Sequence, residues 1–172
     1  MIIFVSGGAR SGKSSFAQDL AEKSKGNRLF LATAQALDEE MMERVQNHRK
    51  QRGNRWNTLE RPIYLGEAIR SVVDSYGTVL IDCLTVWMSN LLCEYPDQGE
   101  KVSQIVDDFF LSIREFNGTI IAVSNEVGAG IVPDNKLARI YRDQLGLLNQ
   151  KMARMADKVY VLFSGIPVKI KG

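Results

Sequence analysis

The chain has 172 residues, 45% of them apolar and 24% charged, enough for one globular domain with a sizeable core. Its 22 Lys+Arg against 20 Asp+Glu give a net charge of +2, which argues against a nucleic-acid or membrane-surface partner and confines any basic function to a local cluster. The two cysteines, Cys83 and Cys93, lack CxxC spacing and a neighbouring histidine, so two buried thiols in a reducing compartment are expected rather than a metal site. Met1–Val5 is apolar but gives way at once to glycine, unlike a signal peptide. No apolar run approaches the roughly 20 residues that cross a bilayer, and the expected location is the cytoplasm.

In chain order, Ile2–Ser6 reads as a strand, followed by a glycine-rich turn and a helix over Lys13–Lys25. Arg28–Ala32 is a second strand. Asp38–Arg52 carries a helical pattern that runs into Asn47–Trp56, polar enough to be exposed. A helix over Leu65–Tyr76 precedes a strand at Thr78–Asp82. The helix expected over Lys101–Phe116 places Val102, Ile105, Val106, Phe109, Phe110 and Ile113 on one stripe and stops at Asn117-Gly118. Thr119–Ser124 is a strand, Asn125–Pro133 a glycine-containing loop, and Asn135–Ala156 a helix. Lys158–Phe163 and Ile166–Ile170 read as two strands around a tight Ser164-Gly165 turn. The strands are apolar throughout rather than alternating, which suits a parallel sheet covered on both faces. Strand–helix alternation then implies a three-layer α/β fold, mostly parallel, with an antiparallel C-terminal edge strand, in one domain spanning residues 1–172.

One motif carries chemistry by itself. Gly7-Gly8-Ala9-Arg10-Ser11-Gly12-Lys13-Ser14 fits G-x-x-x-x-G-K-S directly after a strand and directly before a helix, the context a P-loop requires. Its glycines turn backbone N–H groups inward, and the helix N-terminus adds partial positive charge. Lys13 is expected on the β- and γ-phosphates and the Ser14 hydroxyl on Mg²⁺. The usual partner is an acid ending another apolar strand, and Val79-Leu80-Ile81-Asp82 supplies it, directly or through water. The expected fold is accordingly a P-loop NTPase fold (RecA-like). No Asn-Lys-x-Asp string reads guanine as in a signalling GTPase, because Asn135-Lys136-Leu137-Ala138 lacks the aspartate. A small nucleotide-dependent transferase remains.

His48 is the single histidine and shares a helical face with Met41 and Val45. Two readings compete for it. On residue type alone, a structural or solvated histidine is the commoner meaning. Against that, Arg44, Arg49, Lys50, Arg52 and Arg55 crowd the same segment, a cluster able to clamp a polyphosphate and to favour the neutral, nucleophilic imidazole.

Several strings together carry a resemblance: the P-loop, Ala32-Thr33-Ala34-Gln35, Arg44-Val45-Gln46-Asn47-His48-Arg49 and Trp56-Asn57-Thr58-Leu59-Glu60. They continue through Ser124-Asn125-Glu126-Val127-Gly128-Ala129-Gly130-Ile131-Val132-Pro133, Leu137-Ala138-Arg139, Tyr141-Arg142-Asp143, Gly146-Leu147-Leu148-Asn149-Gln150 and Ser164-Gly165-Ile166-Pro167-Val168. In order and spacing the chain resembles the bifunctional adenosylcobinamide kinase / adenosylcobinamide-phosphate guanylyltransferase (CobU/CobP) family of cobalamin biosynthesis over nearly its whole length.

The resemblance implies two reactions. ATP or GTP phosphorylates adenosylcobinamide. GTP then guanylylates a histidine, releasing pyrophosphate, and the GMP passes to adenosylcobinamide phosphate, giving adenosylcobinamide-GDP. The guanylylated histidine falls on His48, and Asn47 stands where a second histidine can occur. Nucleotide contacts fall on Gly7–Ser14, Ala32, Thr33, Ala34, Arg49, Lys50, Gln51, Arg52, Glu60 and Asp82, with Ser14 and Asp82 toward Mg²⁺. Family members carry Glu where Asp82 stands, so the shorter acid leaves room for a water at the metal. Glu60 is expected to accept from the guanine N1–H and amino group, unless it pairs with Arg55 or Arg61. Arg139 and Arg142 are candidates for phosphate contact or for salt bridging to Asp143. Trp56 and Trp87 are expected in the core or at an interface, and the resemblance implies a homotrimer. A monofunctional P-loop small-molecule kinase with a structural His48, and a non-catalytic nucleotide-binding regulator, are the competing readings.

Overall fold

The computed structural model describes residues 1–24, 26–34 and 56–172. The elements named below are those of the described residues. Seven strands form one sheet in the order β3-β2-β4-β5-β1-β6-β7. They are β1 Ile2–Gly7, β2 Arg28–Ala32, β3 Asn57–Glu60, β4 Thr78–Asp82, β5 Thr119–Val123, β6 Lys158–Phe163 and β7 Ile166–Lys171. All neighbours are parallel except β6 and β7, which run antiparallel. Five helices are described: α1 Lys13–Glu22, α2 Leu65–Ser71, α3 Leu84–Glu94, α4 Gly99–Glu115 and α5 Lys136–Met155.

The continuous apolarity of the strands has a direct cause. Phe4, Leu29, Leu31, Val79, Ile81, Ile120 and Ala122 pack under α2–α5, whereas Ile3, Val5, Phe30, Leu80, Ile121 and Val123 pack on the opposite face with Ala17 and Ala21 of α1. Alternate side chains of each strand thus enter two different cores, which makes the third layer obligatory. The three-layer arrangement and the antiparallel edge agree with the sequence expectation. Ser164 and Gly165 both take positive φ (51° and 87°), the type I′ geometry that matches strand twist and folds β7 back onto β6.

Three elements depart most from the expectation. Helix α3 was not anticipated, because Leu-Thr-Val-Trp-Met-Ser-Asn-Leu-Leu-Cys-Glu is apolar around most of its circumference and shows no stripe. Its Trp87 is fully buried, tilts against Phe109 at 4.8 Å between centroids, and donates from Nε1 to Ile63 O. Strand β3 is short, polar and at the sheet edge, so its pairing with β2 rather than its composition makes it a strand. Helix α2 ends at Ser71, before the expected Tyr76, where the β-branched pair Val72-Val73 leaves helical geometry. The expectation of two buried thiols is corrected: Cys83 is half-buried and Cys93, on the outer side of α3, is exposed. No described helix is long and apolar enough to cross a membrane.

Candidate active site

The register of the parallel strands sets the site. Ala32 pairs with both Glu60 and Asp82, and Asp82 pairs with Val123, so one row of residues crosses the carboxyl ends of β3, β2, β4 and β5. Next to β5 lies β1, whose last residue Gly7 opens the P-loop. Ligands of open α/β sheets bind at this edge.

The turn out of β1 is dictated by close packing. Gly7 has φ 143°, and a Cβ there would lie 2.5 Å from the Leu162 carbonyl oxygen of β6. Gly12 has φ 89° at the start of α1, and Arg10 adopts φ 54° between them. The hairpin tip braces the loop from outside, as Gly165 N–H donates to Ser11 O (3.1 Å). Glu126 N–H donates to Gly7 O from the other side (3.0 Å).

Ala9, Arg10, Ser11, Gly12, Lys13, Ser14, Asp82, Cys83, Val123 and Asn125 line a cleft of about 620 Å³. Lys13 is buried, its Nζ donating to Gly8 O (2.5 Å) and Ser11 Oγ (3.4 Å) within the loop. Burial pulls its pKa down, and the nearby Asp82 carboxylate opposes that shift. The negative charge of an incoming phosphate acts the other way and favours the ammonium form. The Cys83 thiol is pushed up, first by burial and then by Asp82, so it is held protonated beside the cleft.

The far wall is pinned by paired loop contacts. Thr33 is fully buried; its Oγ1 accepts from Cys83 N–H and donates to Cys83 O, both at 2.8 Å. Asn90 of α3 donates to Thr33 O (2.8 Å) and Pro62 O (3.1 Å), tying the ends of β2 and β3 to α3. This is what the unanticipated helix contributes to the site.

The structure brings together Ala9–Ser14 of the motif with Asp82, two regions separated by most of the chain's N-terminal half. Gly7 and Gly8 lie just behind the lining, one under the loop and the other accepting from Lys13. Ala32, Thr33, Ala34 and Glu60 lie along the sheet edge beyond Asp82 and do not line this cleft. His48, Arg49, Lys50, Gln51 and Arg52 lie outside the described residues. Cys83 and Val123 join the lining without having been singled out from sequence; adjacency to Asp82 and to the Ser124-Asn125 string is the signal that would have found them. Arg139 and Arg142 bond loop carbonyls, not Asp143: Arg139 Nη1 donates to Pro133 O and Asp134 O, and Arg142 Nη2 to Gly128 O. Trp56 and Trp87 are both buried.

Ser14 and Asp82 present oxygen donors to the same cleft. A hydroxyl and one carboxylate, completed by phosphate oxygens and water, suit Mg²⁺, which seldom occupies an all-protein cage. Among the described residues no cluster of three or more His, Cys, Asp or Glu offers such a cage.

Comparison with solved structures agrees with the fold. The chain resembles the RadB recombinase (TM-score 0.50, 13% identity, 93% of this chain and 73% of that one). It also resembles an ATPase of a bacterial type III secretion system (TM-score 0.53, 12% identity, 98% of this chain and 56% of that one). Curated relatives are far nearer in sequence. The bifunctional adenosylcobalamin biosynthesis protein CobU of Escherichia coli K12 is 38% identical over 99% of this chain and 100% of its own length. The corresponding CobP of Pseudomonas aeruginosa is 41% identical over 96% of this chain and 95% of its own. The CobU of Salmonella typhimurium LT2 is 38% identical over 99% and 100%. The family described as cobinamide kinase / cobinamide phosphate guanyltransferase matches residues 3–170. With a P-loop at the carboxyl edge of a parallel sheet and this near-complete match, the chain belongs to the cobinamide kinase / cobinamide phosphate guanyltransferase family.

Proposed function

We propose that this protein phosphorylates adenosylcobinamide with ATP or GTP. It then guanylylates His48 with GTP and passes the GMP to adenosylcobinamide phosphate, giving adenosylcobinamide-GDP. The observation that carries this reading is the cleft in which Ala9–Ser14 faces Asp82, in a chain matching the family from end to end.

In the first reaction the acceptor hydroxyl attacks the γ-phosphorus and the bond to the β-phosphate oxygen breaks. Backbone N–H groups of Gly7–Ser14 and the Lys13 ammonium hold the departing diphosphate, where negative charge develops. Ser14 and Asp82 would hold Mg²⁺, which supplies charge neutralisation and alignment of the phosphate oxygens. In the second reaction an imidazole nitrogen of His48 attacks the α-phosphorus. A P–N bond forms and pyrophosphate leaves into the same cradle. A phosphate oxygen of adenosylcobinamide phosphate then displaces His48, splitting one difficult transfer into two. Arg49, Lys50, Gln51 and Arg52 flank His48 in sequence and serve the α-phosphate. Ala32, Thr33, Ala34 and Glu60 belong to the nucleotide site on the β2–β3 side, with Glu60 reading guanine.

We read residues 1–172 as one such domain working in the cytoplasm as a homotrimer. Exposure of Ile131, Val132, Leu137 and Leu147 along one stretch supports burial against other subunits. The test is to incubate the protein with α-labelled GTP and Mg²⁺, denature it, and look for an acid-labile, base-stable GMP adduct. His48→Ala is expected to lose the adduct and keep cobinamide phosphorylation, whereas Lys13→Ala loses both. Wild-type protein that phosphorylates cobinamide without forming an adduct would instead establish the monofunctional kinase.

A further inference from the structure

The connection from β5 to α5 leaves the cleft at Asn125, and that residue is gripped at both main-chain polar groups by side chains of other elements. Its N–H donates to Oγ1 of Thr85 on α3 (2.6 Å), and its carbonyl accepts from Nδ2 of Asn149 on α5 (2.9 Å). Both gripping residues are buried, at 8% and 6% exposure. Tyr141 of α5 donates to Thr85 O (3.3 Å), so the two helices are also joined beneath the loop. Further along, Arg142 and Arg139 of α5 hold the carbonyls of Gly128, Pro133 and Asp134. Residues 139, 142 and 149 are separated by one and then two turns of α5, so one face of that helix carries the whole connection.

Asn149 is the informative member. Among the described residues its Nδ2 bonds only to Asn125 O, and its buried Oδ1 has no hydrogen-bond partner. A buried amide left half-satisfied is less favourable than an apolar side chain of the same shape, so core packing alone does not account for it.

We propose that Asn149 is a positioning residue for phosphoryl transfer, acting with Thr85 to fix the Asn125 main chain so that this residue stays against the transferred group in the P-loop cleft. The inference rests on the nucleotide reading given above and adds to it the two helices that set the cleft's β5 wall. Asn149 itself touches no reacting atom.

The test uses the full chain and its two substrates. Asn149→Leu is expected to lower kcat for cobinamide phosphorylation by ~10-fold while the nucleotide KM moves less than ~2-fold, with no fall in Tm. Amide exchange across residues 124–130 should quicken at the same time. In an Asn125→Ala background the Asn149→Leu change should add nothing further, as required of residues acting through one another. Thr85→Val approaches the same residue from α3 and replaces Asn149→Leu in the cycle if that variant does not fold. Unchanged kcat, independent addition of the two losses, or a parallel fall of kcat, Tm and nucleotide affinity would overturn the proposal. Wild-type protein that fails to phosphorylate cobinamide at all would instead overturn the functional reading.

Discussion

Gly7 shows how much chemistry a single missing methyl permits. Its φ of 143° and the 2.5 Å approach of a hypothetical Cβ to the Leu162 carbonyl leave no room for a side chain. Gly7→Ala is therefore expected to destabilise the fold by more than about 1 kcal/mol, read as a lowered Tm, and to weaken nucleotide binding as β6 and the loop separate. Tyr141 offers a different readout. Burial, then the neighbouring Cys83, pushes its pKa up to about 12. In the unfolded chain the phenol ionises near 10. Between those values the folded state keeps a proton that the unfolded state has lost, so this stabilising contribution is complete below about pH 10 and disappears as pH rises toward 12. Stability measured across that range should fall less steeply in Tyr141→Phe than in the wild type. At this scale the P-loop was readable because its residues are contiguous and its constraint is local. The roles of Arg139 and Arg142 were not, because whether an arginine meets a phosphate, an acid or a carbonyl depends on what the loop places opposite it.

Helices and strands were legible in proportion to their asymmetry. Helix α4 buries Val102, Ile105, Phe109, Phe110 and Ile113 on one side and exposes the other, so its period appears in the sequence. Helix α3 is covered by sheet, α4 and α5 and has little asymmetry to read. Yet α3 and α4 depend on each other: Phe109 is fully buried between Trp87 and Phe110. Phe109→Ala should cost about 3–5 kcal/mol in denaturant unfolding, because the two remaining rings, Trp87 and Phe110, cannot collapse to fill the gap. Strand β3 is the opposite case, an element created by its neighbour. Its polar Asn57-Thr58-Leu59-Glu60 acquires strand geometry by continuing the sheet from β2.

Across the whole molecule the sheet order is what gives the site its extent. Glu60 on β3 stands four strand spacings of about 4.8 Å from β1, roughly 19 Å along the carboxyl edge. A nucleotide with its phosphates in the P-loop must extend along that row to bring its base to Glu60. Glu60→Gln is expected to lower the preference for GTP over ATP by about 10- to 100-fold in both reactions, from the loss of a charge-assisted acceptor. A loss confined to guanylyl transfer would mean that guanine is read at a second nucleotide site on the β2–β3 side. The sequence by itself determined the P-loop, the strand that precedes it, the helix that follows, the two-sided burial of the sheet and the family. Each of these is encoded by neighbouring residues or by a short period. Only the tertiary structure decided that Cys83 and Val123 join Asp82 and Asn125 in the cleft, that the Thr33 hydroxyl pins Cys83, and that α3 and α5 hold Asn125 from two sides. Those facts depend on strand order and register, which bring together residues far apart in the chain through pairings that no local pattern records.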